Sequence, residues 1–154
     1  MREKLILDTN IFLYDPQVME QFSDSILLLP LEVIEEIDKF KHDAGEIGRN
    51  ARRFAQIVDR LRAKGSLRHG VEIGQNCLLQ IVSDHYHFNA SSHQNAADAI
   101  LRLALQLREK CQEGEPQPVI ISKNVNLRVK ADALGLCARD YEPQSLASAN
   151  LIQG

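Results

Sequence analysis

The stretch LILDTN, residues 5–10, decides the fold. Leu5, Ile6 and Leu7 run without a break into Asp8, Thr9 and Asn10. Three successive apolar residues leave no polar face for water, so they read as a short strand buried on both sides. Asp8 then stands at the strand's end, where a lone charge is costly without partners. It suits an Asx-turn capping the next helix, and it equally suits a ligand for a cation.

Working outward, the same alternation repeats along the chain. Apolar runs at Ile26–Leu29, Cys77–Val82 and Val119–Ile121 predict further strands, with a short one at Cys137–Arg139. Between them, helices are predicted over Leu31–Lys41, Glu46–Lys64, Asn95–Lys110 and Asn126–Leu134, the last stopped by Gly135. Apolar strands separated by helices imply an α/β fold, a three-layer α/β/α arrangement around a mostly parallel sheet. Open sheets of this kind form their sites beyond the carboxyl ends of the strands. Asp8, Thr9 and Asn10, and then Ser122, Lys123 and Asn124, therefore carry most interest.

Residues 1–141 are expected to form one domain and 142–154 a tail or the start of a linker. With 44% hydrophobic residues, the 154-residue chain has ample material for a core. Aromatic residues make up only 5% and Trp is absent, which argues against broad base-stacking platforms. The net charge of −3 conceals a basic segment: residues 39–68 hold nine Lys and Arg against three acids. In its helix, Ile47, Ala51, Phe54, Val58 and Leu61 make an apolar stripe, with Arg49, Arg52, Arg53 and Arg60 roughly opposite. Such a face suits phosphates, and equally a solvated helix surface. Lys123, Arg128 and Lys130 are further phosphate candidates near the strand ends.

Cys77, Cys111 and Cys137 form no CxxC pair, so buried free thiols are expected rather than zinc or disulfides. Asp8 falls too early for a signal peptide and no apolar run approaches the roughly 20 residues of a membrane span. A soluble, cytoplasmic protein without membrane contact is the expectation. His85 and His87 lack companions for a transition-metal site and receive no role.

Two more carboxylates join Asp8. On the helix from Leu31, Val33, Ile37 and Phe40 share the buried stripe at about 100° per residue, which leaves Glu36 at its margin and Glu35 in water. Asp98 opens a later helix, where the macrodipole favours its ionised form. Each alone is an ordinary boundary or first-turn acid. Together they supply the oxygen ligands that Mg²⁺ or Mn²⁺ takes while retaining waters.

The order LILDTN, PLEVIEEIDKFK, NAADAIL, IISKN resembles the PIN domain, a metal-dependent nuclease fold. GEIGRNARR (45–53) and LRVKADALGL (127–136) resemble the PIN domains attached to PhoH-like ATPases. The resemblance covers about residues 4–141 and implies Asp8, Glu36 and Asp98 as catalytic and metal-binding residues. It also implies Mg²⁺ or Mn²⁺ as cofactor and single-stranded RNA as substrate of an endoribonuclease, cut to leave a 3′-hydroxyl and a 5′-phosphate. Asn10, Ser122 and Asn124 would orient ligands, and Arg49, Arg53, Lys123 and Arg128 would meet RNA phosphates. The family usually places an Asp where Asn124 stands; Asn keeps an oxygen but loses a charge. A homodimer and, for a fragment, an attached PhoH-like ATPase domain are the implied partners. No GxxxxGK[ST] loop occurs within the chain. Two alternatives stand beside this reading. One is a PIN-fold module that binds RNA or a partner protein and cuts slowly or not at all. The other is a small-molecule phosphatase, disfavoured because Asn10 occupies the place of its second Asp.

Overall fold

The computed structural model describes residues 2–84, 86 and 95–141. The 142–154 segment, His85 and His87 lie outside the described residues. Six strands form one sheet: β1 (Glu3–Leu7), β2 (Ser25–Pro30), β3 (Val71–Glu72), β4 (Cys77–Val82), β5 (Val119–Ile121) and β6 (Cys137–Arg139). Their spatial order is β3-β4-β2-β1-β5-β6, and every pairing is parallel except the antiparallel β3–β4 edge. The expected mostly parallel α/β sheet is thus what the chain forms. Leu5, Ile6 and Leu7, Leu27 to Leu29, and Val119 to Ile121 are all buried, as strands covered on both faces must be.

The helices are α1 (Thr9–Tyr14), α2 (Leu31–Asp38), α3 (Glu46–Arg62), α4 (Ala96–Lys110) and α5 (Val125–Ala133). A 3₁₀ turn, Val18–Gln21, leads towards β2. Right-handed crossovers send α1, α2 and α3 to one face and α4 and α5 to the other. Helix α2 touches α4 as well as α1 and α3, which brings it to the rim of the sheet. Phe12 of α1 stacks on Phe54 of α3, ring centroids 4.6 Å apart, and seals the first face. Arg108 of α4 donates to the carbonyl of Leu134 (2.8 Å), capping the end of α5 where Gly135 takes a φ of 76°.

Three expectations need correction. Helix α2 stops at Asp38 rather than Lys41 because the chain tightens into turn bonds, Lys39 N–H to Glu36 O and Phe40 N–H to Ile37 O. Ile47 is 47% exposed, so the buried stripe of α3 begins at Ala51. Of the three free thiols only Cys77 is buried, and burial pushes its pKa up; Cys111 is half-buried and Cys137 exposed.

Helix α3 starts abruptly against the preceding turn. At Gly48 a Cβ would run into the carbonyl of Asp43, so only glycine lets the helix approach there. Arg52 Nη1 donates to the carbonyl of Lys41 at 2.7 Å and ties the same turn.

Candidate active site

Strands β1 and β5 are neighbours whose crossovers leave in opposite directions, β1 towards β2 and β5 towards β6. That makes their carboxyl ends the topological switch point, where an open α/β sheet leaves a crevice. The register pairs Leu7 with Ile121, and Asp8 N–H donates to Ile121 O at 3.0 Å. Asp8 and Ser122 are therefore brought side by side from positions 114 residues apart.

Asp8 is only 5% exposed and Ser122 fully buried. The Ser122 hydroxyl donates to Asp8 Oδ2 at 2.7 Å, and the Thr9 N–H donates to Oδ1 at 2.8 Å. Asp8 is also the N-cap of α1, as the Asx-type reading expects, and the cap does not exclude a ligand role. A carboxylate offers about four lone-pair sites, and two protein bonds leave capacity on both oxygens. None of the ion pairs among the described residues includes Asp8, Glu36 or Asp98. Thr9 Oγ1, next in sequence, is buried with no hydrogen-bond partner. A buried carboxylate beside a hydroxyl with no partner among the described residues is chemistry that fits a cation.

Glu36 is half-buried on α2 and Glu35 is exposed, as the helical periodicity requires. Glu35 instead accepts a hydrogen bond from Tyr86, which raises the Tyr86 phenol above its ordinary pKa. Asp98 is exposed in the first turn of α4, and its N–H donates to the Asn95 cap at 2.8 Å. Both acids sit on elements that begin at the carboxyl rim. They do not close into a cage with Asp8: among the described residues no three His, Cys, Asp or Glu side chains lie close enough to hold one ion.

The orienting residues separate. Ser122 orients Asp8 directly, and its oxygen also accepts from the Asn124 N–H at 2.9 Å. The Asn124 side chain is committed elsewhere, because its Oδ1 caps α5 through Asn126 N–H (2.9 Å) and Leu127 N–H (3.4 Å). Asn10 is exposed on α1.

The cations near the strand ends carry partners that the sequence did not announce. Lys123 and Arg128 share Asp140, at 3.7 and 3.4 Å. Lys123 Nζ further donates to the Tyr141 carbonyl at 3.0 Å and lies 4.9 Å from the centroid of the Tyr14 ring. Tyr14, and the ion-pairing role of Asp140, are what sequence reasoning missed. Their partners are distant in sequence, and no local spacing announces them. Arg49 is exposed and Arg53 half-buried on α3, away from this ion-paired cluster.

With this geometry in hand, comparison with known proteins matches the PIN domain over residues 5–142. The chain belongs to the PIN domain family. Protein PhoH2 of Bacillus subtilis is 35% identical over 147 residues, covering 92% of this chain and 33% of the relative. Protein PhoH2 of Mycolicibacterium smegmatis is 33% identical over 147 residues, covering 92% and 32%. This PIN domain thus spans about a third of the length of the curated relatives it matches. Among solved structures, a domain of a functionally unknown protein from Methanocaldococcus jannaschii superposes with TM-score 0.57 at 13% identity, covering 91% of each chain. The PIN domain endonuclease Utp24 superposes with TM-score 0.53 at 13% identity, covering 90% of this chain and 85% of that one. At such identity the likeness is one of fold.

PIN domains are typically nucleases and generally use divalent metal ions. The residues present fit such an ion in part. Asp8 could serve as a ligand, since both its oxygens keep lone pairs and none of the ion pairs among the described residues includes it. Because Mg²⁺ keeps several waters, Glu36 and Asp98 are suited to act through water rather than in a closed cage. No helix among the described residues is long and apolar enough to cross a membrane.

Proposed function

We propose that this PIN domain is a Mg²⁺- or Mn²⁺-dependent endoribonuclease acting on single-stranded RNA at the crevice over β1 and β5. The observation that carries the proposal is the buried Asp8 carboxylate, fixed by the Ser122 hydroxyl and the Thr9 N–H and included in no ion pair among the described residues. Holding a bare anion in that place is costly to the fold, and a bound metal offsets the cost. Asp8 would hold the ion directly, with Glu36 and Asp98 contacting its waters. The ion, when bound, supplies Lewis acidity towards water and the phosphodiester.

The chain's own residues do the rest. Ser122 keeps Asp8 in one orientation. Arg49 and Arg53, on the basic helix α3, would meet phosphates of the strand, and Asn10, exposed on α1, would orient ligands. Phosphate contacts of this kind are sequence-independent and weaken with salt. In a longer protein like the matched relatives, the resemblance implies that the domain works beside a PhoH-like ATPase portion.

A second reading is favoured by one observation: Asn124 carries no charge and its oxygen is spent on a helix cap. On that reading the domain holds RNA without cutting it. Whether bound RNA is cut in Mn²⁺ separates the two, and thermal unfolding in rising Mn²⁺ tests whether Asp8 holds the metal. Wild type should gain several degrees, and Asp8→Asn should gain none while still binding RNA in EDTA. An equal gain in both proteins would remove Asp8 from the metal site.

A further inference from the structure

Tyr14 is the one aromatic among the exposed large hydrophobic residues of the described chain, 60% exposed at the end of α1. Its neighbours Ile11, Phe12 and Leu13 are buried, so the helix had apolar work for its other positions and left this ring in solvent. The ring is not loose. Lys123 Nζ lies 4.9 Å from its centroid, and that ammonium is itself fixed by the Tyr141 carbonyl and by Asp140. Asp140 is in turn shared with Arg128, which keeps the arrangement from swinging away.

Place matters as much as exposure. Lys123 directly follows Ser122, the residue that holds Asp8, so the ring lies within one lysine side chain of the end of β5. Tyr14 also rides on the short helix that Asp8 caps. An aromatic face with a fixed cation beside an anionic cleft suits a flat, unpaired base followed by a phosphate. A base within a duplex is already stacked and would not reach it.

Resting on the ribonuclease reading above, we propose that Tyr14, backed by Lys123, is the stacking platform for one nucleobase of the single strand entering the Asp8 crevice. It is a positioning residue: it sets which nucleotide step lies over Asp8 and contributes binding without touching the reacting atoms. One platform fits the aromatic-poor composition, which leaves no room for a long stacking track.

The test uses a fluorescein-labelled, unstructured RNA decamer and a set of the same decamers with a single abasic site at each position. Binding is measured in EDTA for wild type, Tyr14→Phe, Tyr14→Leu and Tyr14→Ala. Stacking on one aromatic predicts that Phe keeps the affinity, whereas Leu and Ala weaken it about five- to a hundredfold. One abasic position should weaken wild-type binding by a similar factor and leave the Ala variant indifferent. That positional coupling is not produced by loss of the Lys123–ring contact alone. Urea midpoints of the variants should match wild type, since the side chain is mostly in water. If wild type binds and Ala binds equally well, or the abasic scan is the same for both, the platform is refuted while the nuclease reading stands. If wild type binds no RNA in EDTA, the platform is refuted, and the nuclease reading falls with it only where wild type also leaves RNA uncut in Mn²⁺.

Discussion

Replacing Ser122 with Ala removes one hydroxyl from the fully buried junction of β1 and β5, and two hydrogen bonds go with it. The first is the 2.7 Å bond to the Asp8 carboxylate, and the second is the 2.9 Å bond from the Asn124 N–H. A hydrogen bond to a charged group contributes roughly 1.5–3 kcal/mol, and an orphaned buried donor costs about 1–3 kcal/mol. Asn124 is exposed, so water recovers part of the second term. The expected loss is about 2–4 kcal/mol, a large share of the roughly 5–15 kcal/mol that holds a domain together. Urea unfolding followed by circular dichroism reads this as a lower midpoint at unchanged slope. Asp8→Asn removes the charge from the same bond, so the Ser122→Ala cost should shrink by about 1 kcal/mol in that background. A Ser122→Ala cost below about 0.5 kcal/mol, or full additivity with Asp8→Asn, would refute the claim that Ser122 is what holds Asp8.

Three other outcomes follow from the same geometry. Asn124→Asp should keep the α5 cap, since Asp and Asn cap equally well, and tighten Mn²⁺ binding measured calorimetrically if that position faces the ion; unchanged affinity would place it outside the metal's field. Gly48→Ala should cost upwards of about 2 kcal/mol in urea unfolding, because its Cβ meets the Asp43 carbonyl and the helix start must shift; a neutral result would mean that the 39–45 turn yields freely. Burial pushes the Tyr141 phenol from 10.0 up to about 12, with Asp15 and Tyr14 adding to the shift. Its folded pKa thus exceeds the unfolded one, so its contribution is full below pH 10 and lost as pH rises towards 12. Wild type should lose more stability than Tyr141→Phe across that window, and at pH 7 the variant should be no less stable, since the buried Tyr141 hydroxyl has no hydrogen-bond partner among the described residues; parallel pH profiles would contradict the assignment.

The strands were legible because burial on both faces writes itself as unbroken apolar runs, and Leu5–Leu7 and Val119–Ile121 needed no partner to be recognised. Helix α1 was not, because six residues are too few to show a period and its start is signalled only by Asp8. The two-residue β3 has no local signature either, since its pairing with β4 is what defines it. Asp8 and Ser122 were legible as a pair because strand ends are where such folds place their sites. The ion pairs of Lys123 and Arg128 were not legible, for the opposite reason. A charge free in the sequence becomes an ion pair only when β6 carries Asp140 alongside β5. The Asn124 departure from the family pattern also gains a physical meaning, because the residue serves as the N-cap of α5.

Cleavage of a 5′-labelled unstructured RNA, in Mn²⁺, Mg²⁺ or EDTA, by wild type and Asp8→Asn, addresses the central claim most directly. Cutting that requires the metal, leaves 5′-phosphate and 3′-hydroxyl ends, and vanishes in Asp8→Asn is the predicted result. Intact RNA with wild type in either metal, or cutting that persists undiminished in Asp8→Asn, would contradict it.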